Sequence, residues 1–433
     1  MRSARLAAAA LASTLVVAGA AACTSDEPPD CGLAPGSVVA AGAVVDLSDV
    51  HPGRAQEGCD FTIDARVGGE DGSLPVALAL DDGGETLTVL LPTEQDPLGE
   101  VQYASGVAVV DAGGQVEAVL REPGSVAPNV SPWLGALTEE WVLWADSTSS
   151  DFAALDSVLY SVDRRTGEIR KLGETSRDAE GLSRTVAGYS RPTIVGNWGF
   201  WVDVPINKDG TSDRAQIMGA PLDGSADPVV VARRGFMATA DDCAGVPSLI
   251  FADPGVGEAR VFRVPVGADG PGQVETVAQF ALAADESIED IAACHDTLAW
   301  AVARQAAADG DDDSASLSAP PGTRTTTLSL VSGEETTQFT SAAGQTLADL
   351  ALNEHYLAFS DVQADNAATH YLYRPADHVL LTVPTELGAG QVFKVAGDKA
   401  LWLQPSDGST AEEAFLDLRR AEAVIATLTT PTP

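Results

Sequence analysis

One carboxylate recurs at a fixed place in this chain. Aspartate ends a short apolar run in Trp141-Val142-Leu143-Trp144-Ala145-Asp146 and in Trp198-Gly199-Phe200-Trp201-Val202-Asp203. It does so again in Leu249-Ile250-Phe251-Ala252-Asp253 and in Tyr356-Leu357-Ala358-Phe359-Ser360-Asp361. Asp146, Asp203, Asp253 and Asp361, brought round a common axis, would form a binding face for cations or a basic partner. Hard cations take oxygen ligands, and a crowded acidic rim attracts positive charge. The competing role is local, because an aspartate at the root of a loop can cap the turn with its own carboxylate.

Other chemistry has less to rest on. No G-x-S-x-G elbow is present, and Gly188-Tyr189-Ser190-Arg191-Pro192 is not one. The histidines His51, His295, His355, His370 and His378 form no H-x-H or H-x-x-x-H pair, so no metal-binding imidazole spacing arises. His295 and His355 fall in equivalent tight turns. Asp309-Gly310-Asp311-Asp312-Asp313 has carboxylates for calcium but lacks the D-x-D-x-D-G order. Its surroundings, 303–324, read as a solvated loop. Calcium is the one cofactor these residues would take, and none is required. A carboxylate pair acting on polysaccharide stays open, with no acid singled out by an apolar setting. No catalytic residue is assigned.

The elements that position these residues follow from a repeat. Trp144, Trp201, Phe251, Trp300, Phe359 and Trp402 are spaced 57, 50, 49, 59 and 43 residues apart. Each follows a strand and a tight turn, and each precedes a polar loop and a hairpin. The clearest hairpin is Val158–Asp163, a turn through Thr166-Gly167, and Glu168–Leu172. Period-two alternation with Gly-containing turns marks antiparallel strands. The last unit reads as a hairpin of Ala414–Leu418 with Ala423–Leu428.

Four such strands per unit predict an all-β fold, a β-propeller of four-stranded antiparallel blades. Six units span residues 132–429. Residues 60–122 offer a seventh, with Phe61–Arg66, Val76–Leu80, Leu87–Leu91, Val107–Val110 and Val116–Leu120, one strand more than a blade holds. Seven blades is the expectation. Six blades plus a small N-terminal cap is the alternative, and a two-sheet sandwich with a second domain is the other fold that fits.

The N-terminus carries its own signals. Arg2 and Arg5 precede an apolar run, Leu6 to Ala18, of signal-peptide length and too short to span a membrane. Ala20-Ala21-Ala22-Cys23 resembles the lipobox of bacterial lipoproteins, which implies lipidation of Cys23. The same residues also fit an ordinary A-x-A cleavage site. Thr24 to Asp30 reads as a polar tether.

With Cys23 lipidated, four of the five cysteines remain. In an oxidising compartment they form two disulfides. Nearest-neighbour pairing gives Cys31–Cys59 and Cys243–Cys294, one of three connectivities. Cys243 and Cys294 both end a first strand, so their bridge would staple blade to blade. The domain reading is a signal peptide 1–22, a lipidated Cys and tether 23–36, an N-terminal segment with a first blade 37–131, six blades 132–429 and a tail 430–433.

The net charge of −38 excludes nucleic acid as a direct partner. It also excludes electrostatic docking on anionic lipid, so any hold on the cytoplasmic membrane must rest on the acyl chains. The loops between second and third strands carry seventeen acids against Lys208, Arg304 and Arg324. These loops share one propeller face, where binding sites commonly lie.

The stretch LYSVDRRTGEIRKL and its relatives resemble the TolB-like and WD-like propellers of bacterial envelope proteins. Together with the lipobox and the Ala- and Gly-rich, Lys-poor composition, the chain resembles an exported, actinobacterial-type lipoprotein. The resemblance implies a site on the outer face of the bacterial cell membrane and a non-catalytic binding or protein-assembly role through the acidic face. The partner would be an envelope protein or a glycan. A glycan- or solute-binding lipoprotein and a carboxylate-based polysaccharide-active enzyme are the alternatives.

Overall fold

The computed structural model describes residues 31–32, 37–68, 76–90, 106–127, 130–148, 156–185, 191–207, 211–212, 214–243, 245–305, 324–363, 367–385, 393–406 and 421–429. Among the described residues all regular elements are strands. They form seven sheets arranged as the blades of a propeller. Blades 1 to 6 occupy residues 76–121, 131–174, 193–232, 236–281, 286–340 and 346–382. Cys23, the signal peptide, the 309–313 acids and Ala414–Leu418 lie outside the described residues.

Blade 7 resolves the surplus strand near the N-terminus. Its strands are Lys394–Ala396, Lys399–Pro405, Ala421–Leu428 and, outermost, Phe61–Val67. Phe61 stands opposite Leu428 and Val67 opposite Ala423. The fifth strand read into 60–122 thus belongs to the last blade, and Ala421–Leu428 is that blade's third strand rather than its fourth. Ion pairs Arg66–Glu422 at 2.6 Å and Lys399–Asp64 at 3.0 Å lie across this junction. The ring is closed by pairing the two ends of the described chain.

The preceding N-terminal segment covers two more edges. Val44–Asp46 adds in parallel to the outer strand of blade 5, and Gly53–Arg54 to that of blade 6. Val45, Leu47 and Ala55 are buried there. The uncovered edge strands of a sheet are templates for unwanted pairing, and here the chain covers two of its own. Cys31 and Cys59 are bridged beside this strap. Cys243 and Cys294 are also bridged, and they tie blade 4 to blade 5.

Blade packing explains the repeated aromatics. The second strand of a blade is enclosed on both faces, so Trp141–Ser147 is buried throughout. Trp201 of blade 3 packs among Leu143, Leu159 and Leu172 of blade 2. Phe251 likewise shares one hydrophobic cluster with Val195 and Phe200 of the preceding blade, and Phe359 meets Phe339 at 5.2 Å. The indole of Trp201 lies where a Cβ on Gly173 would fall, 2.5 Å away, so only glycine admits it. Gly167, at φ 70°, closes the Val158–Asp163 hairpin, a conformation costly to residues with a Cβ.

Candidate functional site in the central channel

The first strand of each blade lines the channel. Five of these seven strands carry a β-bulge. Register slips between Ala77 and Ala79, Pro132 and Leu134, Phe236 and Thr239, Ile288 and Asp290, and Ala348 and Ala351. A bulge lets two residues oppose one and re-aims side chains. Met237 and Asp349, within two of these bulges, take left-handed φ of 53° and 56°.

Charged groups from four blades meet at this level. Arg191, just before the first strand of blade 3, reaches Asp290 of blade 5 at 3.2 Å and Asp349 of blade 6 at 3.6 Å. Asp290 also accepts the amide of Ile291 at 2.9 Å and that of Leu350, in blade 6, at 2.9 Å. Burial pushes the Asp290 carboxyl up, against the pull of Arg191 and the Leu350 amide. Lys394 of blade 7 completes the group. Burial lowers its pKa, opposed by Asp349 and, less strongly, by Asp290. Two cations and two anions balance, so the quartet is neutral as a unit.

A cavity of about 770 Å³ extends from this quartet to the face bearing the turns between first and second strands. At that mouth stand Asp82 of blade 1, Glu139 of blade 2, Asp242 of blade 4 and Glu354 of blade 6. The Asp242 carboxyl is pushed up to about 6 by burial, Asp241 and Asp82. Asp81, behind Asp82, is pushed up to about 6 by burial and then by its neighbours Glu85 and Asp82, although it accepts the amide of Glu85. Crowded carboxylates of this kind are relieved by a cation. Among the described residues no three His, Cys, Asp or Glu converge closely enough to hold a metal ion together. The spread of the acids fits an organic or peptidyl cation better than a bare ion.

The four aspartates singled out by sequence lie elsewhere, and none of them lines the cavity. They end second strands, one strand back from the channel. Asp146 is buried and paired with Arg121 of blade 1. Asp203 is buried and accepts the amide and hydroxyl of Ser176, in the link from blade 2, at 2.6 and 2.8 Å. Asp253 is half-buried opposite Arg260 in the register. Asp361 is 5% exposed, and its Oδ1 has no hydrogen-bond partner among the described residues. Burial pushes its carboxyl up to about 7. The aspartate is placed by the blade repeat; Asp146 and Asp203 take partners from the preceding blade, and Asp203 also accepts the side-chain amide of Gln216, in its own blade, at 3.3 Å.

Sequence reasoning missed the channel quartet, yet a signal for it existed. Arg191, Asp290 and Asp349 each precede their blade's aromatic, Trp201, Trp300 and Phe359, by ten residues. Charge at one repeat offset, on or just before the first strand, marks a shared axial position; Lys394, eight residues before Trp402, falls outside that offset.

No family model matches this chain, and no curated protein matches it. Several solved structures are similar to it at low identity. A prolyl endopeptidase is 14% identical, with 86% of this chain and 51% of that one covered and a TM-score of 0.48. An oligogalacturonate lyase in complex with manganese is 13% identical, covering 87% and 98%, with a TM-score of 0.48. TolB from Acinetobacter baumannii is 11% identical, covering 80% and 64%, with a TM-score of 0.38. The chain spans about half the length of that peptidase, 51%.

Proposed function

We propose that this chain is a lipid-anchored propeller on the outer face of a bacterial cell membrane. It acts as a non-catalytic binding module, and Cys23 carries the anchor. The binding surface is the mouth of the channel, which receives a cationic group such as a lysine or arginine side chain of an envelope partner. One observation carries this reading: Asp82, Glu139, Asp242 and Glu354 ring a 770 Å³ cavity, while the cations deeper inside are matched by Asp290 and Asp349. The field at the mouth is therefore negative. The described lining contains no tryptophan or tyrosine on which a sugar ring would stack, which favours a cation over a glycan.

Calorimetric titration with an oligo-arginine peptide tests the reading. Asp82→Asn with Asp242→Asn should weaken binding at least tenfold. Equal affinity for the variant sinks the channel mouth as the surface. A calcium titration of metal-stripped protein belongs beside it, and competition by calcium would point to ions instead. The anchor is tested separately, by detergent-phase partitioning of the native chain against Cys23→Ser.

A further inference from the structure

Most of the described lysines and arginines in this acidic chain have an anionic partner. Among the described residues, each Lys and Arg is in an ion pair except Arg54, Arg214, Arg233, Arg234 and Lys394. Three of those five come together. The register of blade 3 sets Ile217 opposite Ala232, and the amide of Gly235 donates to the carbonyl of Ala215 at 3.0 Å. Backbone pairing thus brings Arg214 beside Arg233 and Arg234, and all three are exposed.

They flank an open edge. Val229–Ala232 is the outermost strand of blade 3, and among the described strands it pairs only with Gln216–Pro221. Val229 and Val230 are 45% and 47% exposed. The chain itself shows what such an edge accepts, because in blades 5 and 6 the N-terminal strap adds to the outermost strand of the blade. Among the described residues blade 3 presents the same edge uncovered, with apolar side chains and a cationic end.

We propose that the outer edge of blade 3 docks an extended acidic segment of a partner protein. The segment adds as a fifth strand on Val229–Ala232 and sets its carboxylates against Arg214, Arg233 and Arg234. Strand addition satisfies backbone groups on both sides, with alternate side chains giving specificity. Arginine forks hold carboxylates in paired hydrogen bonds. At physiological salt the Debye length is about 8 Å, so the net charge of −38 is screened while the arginines act in contact. An anionic bilayer, presenting a whole plane of charge to an acidic body, is the less favourable occupant.

The probe is a labelled synthetic peptide of alternating valine and glutamate, with its valine–glutamine counterpart as control, read by fluorescence anisotropy on the full chain. The acidic peptide should bind at least tenfold more tightly than the control, and more weakly as salt rises. Arg233→Gln with Arg234→Gln should remove that difference, and Val230→Glu, which sets like charge against the peptide, should abolish binding, with circular dichroism confirming that both variants fold. Four results would overturn the proposal. They are equal binding of the two peptides, affinity unmoved in the arginine variant, a concentration-dependent dimer that Val230→Glu dissolves, and flotation on phosphatidylglycerol vesicles through these arginines.

Discussion

Arg191 of blade 3 meets Asp290 of blade 5 at 3.2 Å, passing over the blade between them. The pair is a brace across the channel rather than a seam between neighbours. Asp290 is buried and accepts two backbone amides besides. Arg191→Met should leave that carboxylate without its cation. Removing one partner of a buried pair typically costs about 3–5 kcal/mol. Arg191 is 38% exposed to the channel, so solvent screening reduces the expectation to about 1–3 kcal/mol. Urea unfolding should show a lower midpoint with an unchanged slope. Asp290→Asn in the same background should recover part of the loss.

Asp361 should make stability depend on pH. Its carboxyl titrates at about 7 in the fold against an ordinary 3.8. The native state therefore holds the proton more tightly than the unfolded chain. The resulting stabilisation is complete below about pH 4 and is lost as pH rises through about 7. His370 works in the opposite sense, because burial lowers it to about 4, so protonation of the unfolded chain costs stability as pH falls below 6.5. The informative quantity is the difference between Asp361→Asn and the parent. The variant should be more stable by about 2 kcal/mol at pH 8 and should lose that advantage by pH 4. A difference that stays constant across this range would contradict the assignment.

Affinity at the channel mouth should rise with pH through about 6, where Asp81 and Asp242 lose their protons. An oligo-arginine peptide should bind more tightly at pH 7.5 than at pH 5. With Asp81→Asn and Asp242→Asn together, the slope should flatten.

The Cys243–Cys294 bridge joins the first strands of blades 4 and 5 across 51 residues. In the chain-entropy view such a bridge stabilises by about 4 kcal/mol. Cys243→Ser with Cys294→Ser should lower the melting temperature. Hydrogen exchange should quicken first in Phe236–Asp241 and Glu286–Cys294.

Phe61→Ala should loosen the closure of the ring. Phe61 is buried against Trp402 with ring centroids 5.3 Å apart. Removing a buried phenylalanine costs about 3–5 kcal/mol. Proteolysis between blade 7 and blade 1 should accelerate more than cleavage elsewhere.

Much of this architecture was legible because a blade is a local unit. The aromatic that packs on the preceding blade, the hairpin through Gly167 and both cysteine pairings follow from short-range pattern. The closure was not legible, since Phe61–Val67 reads as any outer strand and its partner lies more than 350 residues away. The surroundings of the aspartates were not legible for a related reason. Pattern gave Asp146 and Asp203 a repeat position, but whether that position faces a channel or a neighbouring blade depends on which strand is innermost. Glu139 and Glu354 sit in short turns that carry no motif, and only the ring brings them to one mouth.

The shared last blade also sets an order in time. Phe61 is among the first parts of the propeller to leave the ribosome, and Leu428, its partner, among the last. Six blades can assemble as they emerge, but the seventh must wait with one strand held apart. Contacts of such long sequence separation form slowly. A chain delayed before Leu428 therefore presents an unclosed ring with an orphan edge, the form most exposed to proteases and to mispairing with a second chain.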